Sequence, residues 1–183
     1  MALNSSQKTA IKAVILADSS LNSLPNNGDG NYEIARQLNF LASPNYWVWK
    51  TGVPRTEIYN ETSDLPSSWN WTTYKNQSVV EQGAWTQMFL NDYANFSKVN
   101  LRSGVAAIFS GSAPATDQRN HCFAVSRRKS TVAEKACAVA VVSPPANTGN
   151  DGISGNRGNT TNPDVLTLEG LITSDDVESA RNS

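Results

Sequence analysis

The stretch SVVEQGAWTQMF, residues 78–89, opens on the pair Ser78-x-x-Glu81. A serine in that place accepts from the amide three residues on, while the glutamate reaches back to the serine's own amide. Two of the four donors that a helix start leaves unbonded are then satisfied together. Ala84, Trp85, Met88 and Phe89 follow on one face and give the helix an apolar stripe to bury. The stretch therefore reads as a central helix, and the chain on either side of it is mostly helical by the same signals.

Toward the amino terminus, Asn4 or Ser5 caps a helix with Ile11, Val14 and Ile15 on one side, ending by the turn-rich segment from Asp18 to Gly30. Asp29 or Gly30 begins a second helix, with Ile34, Leu38 and Leu41 in line and Pro44 as its stop. The two are expected to pack as a pair. Tyr46 to Lys50 is short, aromatic and β-branched, which favours an extended segment. Pro54 fits the first turn of a short helix through Tyr59, and Trp69-Asn70-Trp71 reads as an anchored loop.

Toward the carboxy terminus, Leu101, Val105, Ile108 and Phe109 mark a helix from about Lys98 to Ser110, closed by Gly111. Asp117 caps a further helix through His121 and Val125 to Arg128, and Thr131-x-x-Glu134 is a second capping box. Ala138 to Val142 has strand character and can pair antiparallel with Val165 to Glu169, which makes Ser143 to Pro163 the long tip of a β-hairpin. Thr173 to Asp176 has cap chemistry and leads into a short terminal helix with Val177 and Ala180. The fold expectation is mainly α. Residues 1–130 form a body of five to six helices, and residues 131–183 form a hairpin with a 143–163 loop, then an arm with a short terminal helix.

Composition narrows the function classes. Fifteen basic and sixteen acidic residues leave a net charge of -1, so no whole-protein field draws in a polyanion. Charged residues make up only 17%, as suits a surface that contacts other protein chains. Cys122 and Cys137 make no disulfide framework and no zinc spacing, and are expected as reduced core thiols. The amino terminus lacks an export signal and no run of ~18 apolar residues occurs, so a soluble, unexported chain is expected.

Catalytic constellations have structural readings that outweigh them. His121 is the single histidine and no nucleophile elbow accompanies it. Asp175-Asp176 sits at a helix start, where carboxylates are favoured by the helix dipole. Gly149, Gly152, Gly155 and Gly158 lack the lysine of a phosphate loop, and Asn26 to Gly30 lacks the ligand register of a calcium loop. A non-enzymatic protein without metal or cofactor is expected. Arg127-Arg128-Lys129 is the one basic cluster and a candidate for contact with DNA or a partner. Trp47, Trp49, Trp69, Trp71 and Trp85 are either core and interface anchors or a sugar-stacking platform, and sequence leaves both open.

Several motifs recur together elsewhere. Ala2 to Lys8, Pro25 to Gly30, Ala42-Ser43-Pro44, Val48 to Thr51, Val99 to Gly104, Ala124 to Arg128, Ala133-Glu134-Lys135 and Leu168 to Thr173, in this order, resemble a widespread family of tailed-bacteriophage proteins encoded among virion structural genes. The resemblance spans nearly the whole chain and departs at Ser143 to Pro163, where relatives have a short Gly/Thr-rich turn. It implies a head-to-tail adaptor, or connector, assembled in the host bacterial cytoplasm as a ring, twelvefold in such connectors. Its partners would be copies of itself, the portal protein, a downstream tail or nozzle protein and, non-specifically, passing DNA, with no membrane. In this reading Leu166, Leu168, Leu171, Ile172 and Val177 anchor the carboxy-terminal arm on a neighbouring subunit or the portal, and removing Leu171 to Ser183 leaves a folded body. Neck, tail-completion or minor capsid roles are the alternatives within the particle, and a carbohydrate-binding module is the alternative outside it.

Overall fold

A computed structural model describes residues 2–60, 68–139, 158–161 and 163–183. Its elements in chain order are α1 (Ser5–Ala17), α2 (Ser19–Asn22), α3 (Gly28–Leu38), β1 (Trp47–Trp49), β2 (Val53–Pro54), α4 (Arg55–Tyr59), α5 (Trp71–Lys75), α6 (Val79–Met88), β3 (Tyr93–Ala94), α7 (Val99–Ile108), α8 (Ala115–Val125), β4 (Arg127–Lys129), α9 (Val132–Ala136), β5 (Ala138–Val139), β6 (Val165–Leu166) and α10 (Ser174–Arg181). The fold is mainly α. The strands pair only in twos, β1 with β4, β2 with β3 and β5 with β6.

Packing gathers these elements into two units that share the chain unevenly. The first takes Met1–Val48, Lys129–Val139 and Val165–Ser183, and the second takes Trp49–Arg128 and Ala140–Asp164. This is not the expected division at residue 130 into body and arm. The reason lies in where the apolar faces go, because the carboxy-terminal segment buries its own against the first helices.

In the first unit Asn4 caps α1 through a full box with Gln7, and Ile11 and Ile15 turn inward. Asn27 caps α3, whose Ile34, Ala35 and Leu38 face the same core. Neither helix is long enough to stand alone in water. α10 supplies the third wall. Thr173 and Asp176 form its capping box, and Val177 and Ala180 are fully buried against α1 and α3. Arg181 then ties the helix end down, donating from Nη1 to the Pro25 carbonyl at 3.1 Å and Asn31 Oδ1 at 2.9 Å, and from Nη2 to the Leu24 carbonyl at 2.8 Å. The Pro25 turn lies so close to α3 that a Cβ on Gly30 would stand 2.0 Å from the Pro25 oxygen, which only glycine permits.

The hairpin is present with the antiparallel register Ala138↔Leu166 and Val139↔Val165. The expected continuation of its first strand through Ala140, Val141 and Val142, and the tip from 143 to 157, lie outside the described residues, as does Asn162. After the hairpin, Leu168 and Ile172 join the same core as Ile11, Ile34 and Leu38. The expected arm is thus a structural part of the unit. Leu168, Ile172 and Val177 are already covered by their own chain, Leu166 is half-buried, and Leu171 alone of the five stands exposed.

The second unit is built around aromatic rings. Trp69 and Trp85 lie 5.2 Å apart, Trp85 and Phe109 5.4 Å, and Tyr59 and Trp69 4.8 Å, all tilted or edge-on as ring quadrupoles prefer. The capping box at Ser78 and Glu81 forms as expected and sets Trp85 and Phe89 into this cluster, though Ala84 faces out. Trp85 Nε1 donates to the Tyr59 hydroxyl at 3.2 Å, and burial of that phenol raises its pKa. Beside the cluster, Arg102 of α7 is wholly buried with its guanidinium 4.9 Å from the Trp49 ring, and it donates to the Phe96 carbonyl at 2.5 Å. Desolvation by burial pulls its pKa down to about 10.

Several boundaries differ from expectation. The helix expected to start at Asp117 begins at Ala115 without a side-chain cap and ends at Val125, because residues 127–129 are drawn into pairing with β1. Leu41 lies beyond α3 and bridges to Thr131, so its side chain faces solvent rather than the core. Asn70, read as part of a loop, accepts from the Thr73 amide and starts α5. Ten α-helices occur among the described residues, more than expected, because α2, α5 and α9 are only four or five residues long and read as turns or loop, whereas the short helix expected after Pro54 is present as α4.

Neighbouring residues should therefore respond oppositely to truncation. Ile172→Ala is expected to cost about 2–5 kcal/mol, and Leu171→Ala to stay within about 0.5 kcal/mol, by urea denaturation followed by circular dichroism. Equal effects would mean that the segment does not pack as described.

Candidate functional site

Helix α3 carries apolar residues on two faces. Ile34 and Leu38 enter the core, while Tyr32 and, just past the helix end, Phe40 project outward with 65% and 54% of their surfaces exposed. Arg36 stands between them at four-residue spacing. Its Nε and Nη2 donate to the two oxygens of Glu33 at 2.8 and 2.6 Å, and its Cζ lies 5.1 Å from the Phe40 ring centre. That bidentate bond, with a further one from Gln37, holds the Glu33 carboxyl down at about 2, so the fork stays charged on both sides through the physiological range.

The other wall is the segment before α10. Asn39, which caps the end of α3, donates from Nδ2 to the Ile172 carbonyl at 2.9 Å and accepts from the Ile172 amide at 3.0 Å. One amide side chain thereby pairs with the backbone as a neighbouring strand would. The buried Glu134 secures the other end, where its Oε1 accepts from the Gly170 amide at 2.9 Å. Leu171, pinned between these two anchors, is turned outward and 74% exposed.

Between the walls lies a groove of about 560 Å³ lined by Tyr32, Arg36, Phe40, Leu171 and Thr173, among others. A second depression of about 340 Å³, lined by Leu41, Val132 and Leu21, shares Arg36 and Phe40 with it. The two adjoin at Arg36 and Phe40, and the second is the more polar, with Asp18, Gln37 and Ser43 in its lining. Tyr32, Phe40, Leu41 and Leu171 together expose several hundred Å² of largely apolar area. Patches of that size are the largest that folded monomers usually expose, and they are often functional.

The other residues singled out by sequence are engaged within the chain. His121 is fully buried, and its Nε2–H donates to the Ile58 carbonyl at 2.7 Å. Cys122 and Cys137 are buried free thiols, and loss of solvent raises both pKa values, that of Cys137 up to about 11. Asp175 and Asp176 lie in the first turn of α10, where Asp176 completes the cap. Within the basic cluster, Arg127 is half-buried and donates to the Thr160 carbonyl, Arg128 is half-buried, and Lys129 is exposed with its Nζ 6.0 Å from the Trp47 ring. The three are consecutive along β4, where a strand turns neighbouring side chains to opposite faces. Trp49, Trp69 and Trp85 are buried and Trp47 half-buried, so Trp71 is the one tryptophan with a broad exposed face. A sugar platform of several stacked faces is therefore not assembled from them.

Of the five interface candidates, only Leu171 reaches the groove as an exposed side chain, while Tyr32, Phe40 and Leu41 were missed as surface residues. The signal was present in the sequence, since Tyr32 and Phe40 flank Arg36 on the face opposite Ile34 and Leu38. A helix apolar on two faces has two neighbours to satisfy. No helix among the described residues is long and apolar enough to cross a membrane, and no cluster of three or more His, Cys, Asp or Glu among them could hold a metal ion.

Two outcomes follow for the buried groups. A thiol reagent such as dithionitrobenzoate should react with neither cysteine in the native protein and with both after denaturation, and rapid native labelling would contradict their burial. His121→Phe should lower stability by about 1–3 kcal/mol in chemical denaturation, since it strips the buried Ile58 carbonyl of its donor. A neutral result would show that this bond does not hold the site.

No protein-family model, curated protein or solved structure matches the chain.

Proposed function

We propose that the protein is a non-enzymatic structural subunit of a tailed-phage particle. In this reading it assembles with copies of itself into a ring at the head-to-tail junction, between the portal protein and a downstream tail or nozzle protein, around the path of the DNA. The observation that carries the reading is the apolar strip of Tyr32, Phe40, Leu41 and Leu171, rigidly held by Asn39 and Glu134 and left uncovered by its own chain. Burying such a strip against another protein removes several hundred Å² of apolar surface from water. Support of a different kind comes from the resemblance of the ordered motifs to phage virion proteins. The low charge content acts in the same direction, because fewer charges must be desolvated when surfaces meet.

The site's contribution to assembly is shape and apolar area. Many weak copies of one contact, closed by symmetry, hold a ring more firmly than any single pair. Contact with the passing DNA is expected to be slight, given the net charge of -1 and the partial burial of Arg127 and Arg128 in β4. The reading also moves the interface from the core residues Leu168, Ile172 and Val177 to Leu171 and its neighbours on α3.

The test is made in particles. A phage lacking the gene should yield DNA-filled heads and free tails in electron micrographs. Wild-type protein supplied in trans should restore joined particles, and Phe40→Glu/Leu171→Glu should not. Intact infectious particles without the protein, or its absence from purified particles by mass spectrometry, would overturn the proposal.

A further inference from the structure

The second unit carries a feature that its own packing does not use. Val79 and Val80 occupy the first turn of α6 and are 86% and 81% exposed. β-branched residues are weak helix formers, and an exposed first turn favours polar or acidic side chains. At these exposures the two adjacent valines bury little against the described residues. They are nevertheless rigidly presented, because the Ser78 and Glu81 capping box fixes the turn from which they project, with the Ser78 amide donating to Glu81 at 2.8 Å.

We infer that Val79 and Val80 of one copy insert into the groove formed by Tyr32, Phe40 and Leu171 of a second copy. This rests on the reading of the protein as a self-assembling subunit, and adds which two surfaces meet. A groove cannot fill an identical groove, so a symmetric pairing of the strip with itself leaves the cavity of about 560 Å³ empty. An apolar projection fills it, and the same chain supplies one. Charge does not oppose the contact, since Arg36, the only charged residue among the described ones that line the groove, is neutralised by Glu33. Glu81, the only charged residue of α6, keeps its bonds from Ser78 and stays at the rim of the contact. The several hundred Å² exposed on the groove side is a large part of the roughly 800 Å² that each partner of a standard interface contributes.

The contact is head-to-tail. Each copy keeps one unused projection and one unused groove, so association continues until a ring closes or a filament grows.

Two variants test this in solution, each altering exposed positions only. Val79→Lys/Val80→Lys removes the projection and keeps the groove, and Phe40→Lys/Leu171→Lys does the reverse. Both should keep the wild-type circular dichroism spectrum and melting temperature while self-association, read by sedimentation velocity, weakens by roughly a hundredfold. Mixed in equal amounts they should form a heterodimer and nothing larger, because one intact projection meets one intact groove. Wild-type self-association in either variant, a mixture that stays monomeric, or a wild type that is monomeric throughout would overturn the inference. The structural role in the particle is judged separately, by the protein's presence in purified particles and the fate of heads made without it.

Discussion

Burial of Val177 and Ala180 is the constraint on which the first unit depends. α1 and α3 each offer an apolar face, but two short helices side by side leave part of both faces in water. The eight residues of α10 complete the enclosure, and Arg181 fixes the far end of that helix to the Leu24 and Pro25 carbonyls. With α10 in place, the segment just before it can only run along the end of α3, where Asn39 meets it. The groove follows from that path, because Leu171 is left outside when Ile172 is drawn in.

The second unit solves the same problem with rings instead of aliphatic stripes. Trp69, Trp85 and Phe109 fill space that short helices alone would leave open, and α6 is positioned by Trp85 more than by the breadth of its apolar face. Arg102 belongs to this economy of large side chains. Its guanidinium packs against the Trp49 ring, at the cost of burying a cation that donates to the Phe96 carbonyl. That burial explains the downward pull on its pKa.

Local chemistry was legible in the sequence, and long-range partnership was not. The caps at Asn4, Ser78, Thr131 and Thr173 all form, because a capping side chain and its amide are at most three residues apart. The antiparallel pairing of Ala138 and Val139 with Val165 and Leu166 was also readable, from two short apolar runs that carry the β-branched Val139 and Val165 and flank a turn-rich stretch. Asp117 offered the same cap chemistry, yet the chain starts that helix at Ala115, where no cap signal exists. Leu41 has the right spacing for the core face of α3 and is pulled from it by a bridge to Thr131, a partner that no spacing within α3 reveals. Leu168, Ile172 and Val177 read from sequence as apolar residues that need cover, and they find it within their own chain. Sequence alone does not name that cover, since an apolar run looks the same whether its partner lies in its own chain or in another.

The groove has one wall from α3 and the other from residues 171–173, so it belongs to no continuous stretch of chain. During synthesis at about 5–20 residues per second, Tyr32 and Phe40 leave the ribosome on the order of ten seconds before Leu171 exists. Until then the outer stripe of α3 is only half of a recess, and α10 is not there to hold α3 itself in place. The complete groove thus comes into being late and all at once. In the proposed assembly, chains still growing side by side on one message would lack it, and the fold itself would set the moment at which a copy becomes competent to join its neighbours.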